Sequence, residues 1–323
     1  MTRAVVFGYH NVGVRCLKVL LAHGLDVPLV ITHDDSPGEG IWFGSVARTA
    51  AEYGLPAIAP PDPNAPDIVD RVAALRPDFI FSFYYRRMLA PALLSIASRG
   101  ALNMHGSLLP KYRGRAPVNW AIIRGETETG ATLHYMADKP DSGDIVAQMA
   151  VPILPDDVAS EVFVKVTVAA EATLDRALPA LLAGTAPRIR QEPGSGSYFG
   201  GRRPDDGVID WSKRATAIHD LVRAVAPPYP GARTLLHGHP ARLLRTRVLD
   251  AAAAPAIAPS FDVADGKITV RCGGGGTLQV LELEIDGAIV GASAFAQWRA
   301  AHAAAVPGRI GAQEPAAAPD RDS

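Results

Sequence analysis

Residues 4–21 read Ala4-Val5-Val6-Phe7-Gly8-Tyr9-His10-Asn11-Val12-Gly13-Val14-Arg15-Cys16-Leu17-Lys18-Val19-Leu20-Leu21. A short apolar run stops at a turn over 8–13. Cys16, Leu17, Val19, Leu20 and Leu21 then follow at helical spacing. A second apolar run covers 27–31. Helix candidates lie at 45–53, stopped by Gly54-Leu55-Pro56, and at 68–75, stopped by Pro77. A third buried strand follows at 78–83. Strands alternating with helices of about ten residues indicate a parallel sheet covered on both faces. The expected fold class is therefore α/β, a Rossmann-like, mostly parallel sheet with helices on both faces. The turn at 8–13 lacks the third glycine of the dinucleotide fingerprint. It also places Tyr9 and His10 where backbone must approach a pyrophosphate, which argues against a nicotinamide site.

Further along, the chain reads Ala101-Leu102-Asn103-Met104-His105-Gly106-Ser107-Leu108-Leu109-Pro110. In an extended segment successive side chains alternate faces, so Asn103 and His105 share one face and Leu102 and Met104 the other. Gly106 and Pro110 end the strand. The polar pair then stands at a carboxyl end, where open α/β sheets place ligands. An amide donor beside an imidazole suits oxyanion stabilisation and proton transfer. Taken alone, the same residues fit an Asn and a His satisfied by backbone. Asp141-Ser142-Gly143 equally reads as a plain turn.

Composition narrows the field. The 323 residues suffice for two domains, and 48% hydrophobic content supports sizeable cores. Lys and Arg number 32 against 33 Asp and Glu, a net charge of −1 that argues against a tRNA-gripping surface. Cys16 and Cys272 show no metal spacing, and the nine histidines form no His-x-x-x-His pair, so no metal is expected. The start, MTRAVVFGYH, enters a strand without a leader, and no stretch approaches the ~18 apolar residues of a membrane span. A cytoplasmic protein with reduced thiols and no membrane association is expected.

The second half is organised differently. Residues 161–182 form an alanine-rich helix. Gly194-Ser195-Gly196-Ser197 and Gly201-Arg202-Arg203-Pro204-Asp205-Asp206 read as a linker, and 216–225 as a short helix. Alternating runs at 241–248, 267–272 and 278–285 indicate a small β domain. Gly273 to Gly276 reads as a hairpin turn, 251–259 as a loose linker and 306–323 as a disordered tail.

The run HGSLLPKYRGRAPVNWAIIRGETETGATLH at 105–134, followed by Asp141, resembles the signature of the folate-dependent formyltransferases. The resemblance covers roughly residues 4 to 250, including FGYHNVG, ITHDDSPGEGIWFGSVARTAAEYGLP, PDFIFSFYYRRML and RRPDDGVIDW. It is closest to the branch acting on UDP-4-amino-4-deoxy-L-arabinose, in lipid A modification and polymyxin resistance. The resemblance implies a catalytic domain over 1–200 and a C-terminal OB-like β-barrel over 205–305. It implies transfer of a formyl group from 10-formyltetrahydrofolate to an amine, with Asn103, His105 and Asp141 catalytic. Asp141 would favour the charged form of His105. Arg87, Met88 and Leu89, with Ala137, Asp138, Lys139, Pro140 and Asp141, match the segments that hold the pterin. Arg115 matches a folate-contacting arginine. Tyr9 and Asn11 would lie near the acceptor sugar. Ser107, Lys111, Arg202 and Arg203 would serve the sugar nucleotide.

The acceptor alternatives are a UDP-amino sugar, another nucleotide-linked amino sugar, and methionyl-tRNA. The loop His33-Asp34-Asp35-Ser36-Pro37-Gly38-Glu39-Gly40-Ile41-Trp42 is acidic and free of Lys and Arg, a poor contact for nucleic acid. In the aminoarabinose branch a decarboxylating dehydrogenase domain follows. No second Gly-rich unit or Tyr-x-x-x-Lys pair occurs after residue 300, so the expectation is either a separate dehydrogenase partner in the same pathway or a related amino sugar as acceptor. A homo-oligomer is compatible with the sequence.

Overall fold

The computed structural model describes residues 1–35, 40–192 and 194–302, together with the short strand at 310–311. The chain divides into two compact units. One comprises 1–117, 128–152 and 163–200; the other comprises 118–127, 153–162 and the residues from 201 onward.

The first unit opens with β1 (Arg3–Gly8), α1 (His10–Ala22), β2 (Asp26–Ile31), α2 (Val46–Glu52) and β3 (Ala57–Ile58). It continues through α3 (Pro66–Ala74), β4 (Phe79–Phe83), α4 (Pro91–Leu94), β5 (Gly100–His105) and β6 (Arg113–Gly114). All but the first residue of α5 (Pro117–Ile123) and the first turn of α6 (Ala159–Ala183) are counted with the second unit; the rest of α6, with β7 (Glu128–Tyr135), β8 (Ile145–Pro152) and β9 (Tyr198–Phe199), completes the first. Helix starts follow local chemistry. Ser45 Oγ accepts the Arg48 N–H at 3.2 Å to cap α2, and α3 and α4 begin with Pro66 and Pro91, whose missing N–H costs nothing there.

The main sheet has the order β3-β2-β1-β4-β5-β7-β8. The first five strands are parallel, whereas β7 and β8 are antiparallel to their neighbours. Both faces are covered, which is why β1, β2 and β4 are mostly apolar. On one face Phe79, Phe81 and Phe83 lie in a row, with ring centroids 5.6 and 5.5 Å apart. On the other, Val5, Phe7, Leu29, Ile31 and Ile80 pack with Leu93. Each such side chain contributes about 1.5–3 kcal/mol when taken out of water. Strand order reverses between β1 and β4, so the switch-point crevice opens at their carboxyl ends.

The second unit contains α7 (Ala215–Val225) and an antiparallel sheet. Its strands are β10 (Ala232–Leu236), β11 (His239–Asp250), β12 (Ser260–Ala264), β13 (Lys267–Arg271), β14 (Thr277–Ile285) and β15 (Ala288–Ile289). The helix α8 (Ala292–His302) and β16 (Ile310–Gly311) follow. The order is β12-β13-β14-β11-β10-β16, with β15 added to β14. The buried Ile218, Val222 and Val225 lie on α7, which packs on β11. The glycine run turns between β13 and β14, closed by the Cys272 N–H to the Gly276 carbonyl at 3.0 Å. Of the expected tail, Ile310–Gly311 pairs with β10; 306–309 and 312–323 lie outside the described residues. Among the described residues no helix is long and apolar enough to cross a membrane.

Candidate active site

Strand register builds the site. On β5, Leu102 and Met104 are buried in the core, and Asn103 and His105 point to the opposite face. Antiparallel pairing sets Asn103 opposite His134 and His105 opposite Thr132 on β7. A turn after β7 then brings Asp141 over the same patch. Asp141 adopts φ +53°, a left-handed conformation open to Asp, and Ser142 closes the turn by donating to the Lys139 carbonyl at 2.8 Å. Gly143 completes it because a Cβ there would lie 2.0 Å from the Tyr135 carbonyl oxygen.

Asp141 is the hub. Its Oδ1 lies 3.5 Å from His105 Nδ1, 3.5 Å from His134 Nε2 and 3.4 Å from Asn103 Nδ2. Its Oδ2 accepts the Gly114 N–H at 2.8 Å. Gly114 has φ +95°, and a Cβ would meet the Phe199 carbonyl oxygen at 2.1 Å, so no other residue offers its N–H from this position without strain. Behind Asp141, its backbone carbonyl accepts from Gln191 Nε2 at 2.8 Å and Arg113 Nε at 3.3 Å. Arg113 also donates to Gln191 Oε1 at 2.6 Å. The turn is thus bracketed from the 111–115 and 190–200 loops.

His105 donates from Nε2 to the Tyr112 carbonyl at 2.8 Å, since a carbonyl can only accept. Nδ1, facing Asp141, is therefore the nitrogen that gains or loses a proton. Burial pushes the His105 pKa down, and the opposing pull of Asp141 and of the Tyr112 carbonyl does not restore it. Asp141 does favour the charged imidazole, but removal from water outweighs it. Burial also works against ionisation of Asp141. His105 and the Gly114 N–H nevertheless hold its carboxyl well below the usual carboxylate range. Near neutral pH the site holds an anionic Asp141 and a neutral His105, suited to accepting a proton.

The other expected residues fall in several places. Ser107 is fully buried and donates to the Lys111 carbonyl at 2.6 Å, so its hydroxyl braces the loop rather than facing a ligand. Lys111 and Arg115 are exposed on that loop. Arg87 and Met88 are exposed after β4, Leu89 is buried, and Asn64 pins the segment by donating to the Met88 carbonyl at 2.9 Å. Ala137, Asp138, Lys139 and Pro140 are exposed. Tyr9 and Asn11 lie at the start of α1. Tyr9 donates to Asp35 at 2.7 Å, and Asn11 Oδ1 accepts the Gly44 N–H at 2.7 Å. Of the acidic loop after β2, 36–39 lies outside the described residues. Arg202 and Arg203 belong to the second unit.

His134 and Gln191 went unnoticed in the sequence. The only signal for His134 is its alternation with Thr132 on a strand whose partner is unknown in advance. Gln191, 50 residues from Asp141, carries none. Among the described residues no cluster of His, Cys, Asp or Glu is arranged to hold a metal ion.

Comparison with known proteins adds to this geometry. Residues 6–178, more than half of the chain, match the family model described as formyl transferase. Residues 202–299 match the formyl transferase C-terminal domain. Among solved structures, the chain resembles an N-formyltransferase from Helicobacter canadensis in complex with folinic acid and dTDP-3-aminofucose. That likeness has TM-score 0.69 and 20% identity, covering 87% of this chain and 99% of that one. It also resembles WlaRD, a sugar 3N-formyl transferase solved with dTDP and 5-N-formyl-THF, at TM-score 0.69 and 17% identity over 89% and 99% of the two chains. HypX from Aquifex aeolicus, solved with tetrahydrofolic acid, matches at TM-score 0.59 and 16% identity, covering 93% of this chain and 47% of its own.

Proposed function

The chain belongs to the formyl transferase family, and from that premise we propose that it formylates the amine of a nucleotide-linked amino sugar, with 10-formyltetrahydrofolate as donor. The observation that carries this reading is the convergence of Asn103, His105 and Asp141 at the end of β5. Formyl transfer to an amine needs a donor for the oxygen that gains charge and a group that takes the amine's proton. Asn103 supplies an N–H, and neutral His105 has the unprotonated Nδ1 that a base requires. Asp141 stabilises the imidazolium once the proton arrives. Overall a carbon–nitrogen bond forms to the sugar amine, and the proton it loses ends on the nitrogen that gave up the formyl group.

The folate supplies the formyl group. The segments 87–89 and 137–141 fit its pterin: apart from Leu89 and Asp141 their side chains are exposed, leaving backbone donors and acceptors to read an amide-like edge. Arg115 on its exposed loop suits the folate's carboxylates. Asn103, His105 and Asp141 would do the chemistry in a catalytic domain over 1–200, followed by a C-terminal domain over 205–305.

For the acceptor, Arg202 offers a pointer. Its Nε is buried with no hydrogen-bond partner among the described residues, and burial pushes its pKa down against the pull of Asp206 and Tyr229. An anion such as a diphosphate would satisfy it. The fragments LPKYRGRAPVNW and RRPDDGVIDW favour UDP-4-amino-4-deoxy-L-arabinose. A dTDP-linked amino sugar is the second reading, favoured by the ligands of the two sugar formyltransferases above.

Single-turnover formylation with 10-formyltetrahydrofolate decides between them, using UDP-aminoarabinose, dTDP-3-amino and dTDP-4-amino sugars and methionyl-tRNA. The expected result is turnover of UDP-aminoarabinose with only modest weakening by salt. Turnover of methionyl-tRNA alone, with the ~10³-fold salt sensitivity of many phosphate contacts, would overturn the sugar-nucleotide reading.

A further inference from the structure

An amide side chain presents donors on one side and an acceptor on the other, and a half-turn about its last bond exchanges them. The usefulness of Asn103 therefore depends on which way its amide faces, and the group that faces it across the strands is His134. His134 Nδ1 lies 2.8 Å from the Tyr135 carbonyl oxygen, which can only accept, so Nδ1 carries a hydrogen. In the neutral ring Nε2 is then bare and can only accept. The Asn103 atom 3.2 Å from it must be the donor, Nδ2. With the amide reversed, two lone pairs would face each other beside a side chain only 2% exposed, a buried mismatch of the kind that leaves polar groups unsatisfied.

Nδ2 of Asn103, Nε2 of His134 and Oδ1 of Asp141 form a triangle with sides of 3.2, 3.4 and 3.5 Å. At Nδ2 the two acceptors subtend about 60°, half the ~120° between the N–H bonds of a planar amide. One N–H points into that pair, and the second is directed away from it.

We infer that His134 is a positioning residue: its tautomer, set by the Tyr135 carbonyl, anchors one N–H of Asn103 and leaves the other aimed outward as a donor. Only the purpose of that second N–H rests on the proposed formyl transfer.

Two measurements test it. In the ¹⁵N-labelled protein near pH 7.5, a long-range proton–nitrogen correlation reads the tautomer of each imidazole, with His134 assigned by its loss in His134→Gln. Protonated Nδ1 and bare Nε2 are expected; a proton on Nε2 overturns the inference. In single-turnover assays, His134→Ala should slow the formyl-transfer step ~10-fold or more with KM little changed, less than the ~10²–10³ expected for loss of the donor itself. His134→Gln, whose Oε1 can accept the same N–H, should recover most of that rate. Equal losses in both variants, or a loss confined to KM, would show that the acceptor at 134 does not orient Asn103. If no acceptor is formylated at all, the proposed function fails, while the tautomer measurement still decides the role of His134. If His134→Ala does not fold, the spectrum of the wild-type protein and the rate of His134→Gln against wild type carry the test.

Discussion

The carboxyl edge of the main sheet presents two contrasting regions. At the switch point between β1 and β4, where open α/β sheets usually seat a ligand, the space is taken by rings. His10 stacks on Phe43 at 3.7 Å and meets Trp42 at 4.8 Å and Phe163 at 4.4 Å edge-on. Beside them His33 stacks on Tyr85 at 4.0 Å. On the other side of β4, the end of β5 has Asn103, His105 and His134 each within 3.5 Å of Asp141, and Asn103 within 3.2 Å of His134. Both regions are buried or half-buried, yet one is filled by aromatic packing and the other by a polar network whose members need each other. The first is a structural plug and the second can move a proton. A topological rule locates the edge that matters but not the strand on that edge; side-chain chemistry selects the strand.

The largest effect should come from opening the plug. Phe163→Ala removes a ring packed against His10, Trp42 and Tyr84. It should cost ~3–5 kcal/mol of stability in urea unfolding. The kcat of the remaining folded enzyme should stay close to wild type. A collapse of kcat in a fully folded variant would place the rings in the chemistry and erase the contrast.

Next comes the polar end. Asn103→Ala should lower kcat ~10²–10³-fold, the usual cost of one oxyanion donor. KM for both substrates should change little, because the contact strengthens only in the transition state. Stability, measured alongside, should fall by far less than in Phe163→Ala. A defect seen only in KM would instead assign Asn103 to ground-state binding.

Asp141→Asn sharpens the electrostatic side of the comparison. Asp141 is the main influence raising the His105 pKa against burial. Its removal should therefore carry the acidic limb of kcat/KM to lower pH. An acidic limb that moves to higher pH, or does not move while activity falls, would mean that a different group governs it.

The smallest effect is expected at the rim of the plug. Burial, then Arg87 and Arg86, lowers the His33 pKa to about 4. Unfolded, the same group titrates near ~6.5. Between those values the unfolded chain binds a proton that the folded one does not, so stability should decline as pH falls through that window. His105 and His219, also lowered by burial, act in the same direction. His33→Phe keeps a ring against Tyr85 and should flatten part of this slope. Identical pH-stability curves for the two proteins would remove His33 from the account.

Much of the fold was legible because β1, β2 and β4 are buried on both faces, so their apolar runs at 4–7, 27–31 and 78–83 need no partner to be recognised. The strands β7, β8, β10 and β12 were not. Glu128–Tyr135 mixes Thr and His with apolar residues, and Ser260–Ala264 is a short edge strand with no fully buried position. At the site, Asn103 and His105 were visible through their shared face. Asp141 was visible through its turn and the family resemblance. The bond from the Ser107 hydroxyl to the Lys111 carbonyl was not legible, because a hydroxyl engaged by a neighbouring carbonyl looks in sequence like any other.

The sequence by itself determined which groups are available: an amide and an imidazole two residues apart on one strand face, a carboxylate on a glycine-closed turn, and apolar segments that force a parallel sheet. Tertiary structure decided what state those groups are in. His134 meets Asn103 only because antiparallel register sets residues 31 apart opposite each other. Arg113 and Gln191 brace Asp141 only because two loops fold back over it. The charge of His105 turned on the same point. A carboxylate neighbour can be read from a motif, but withdrawal from water belongs to the assembled chain, and here it is the larger of the two.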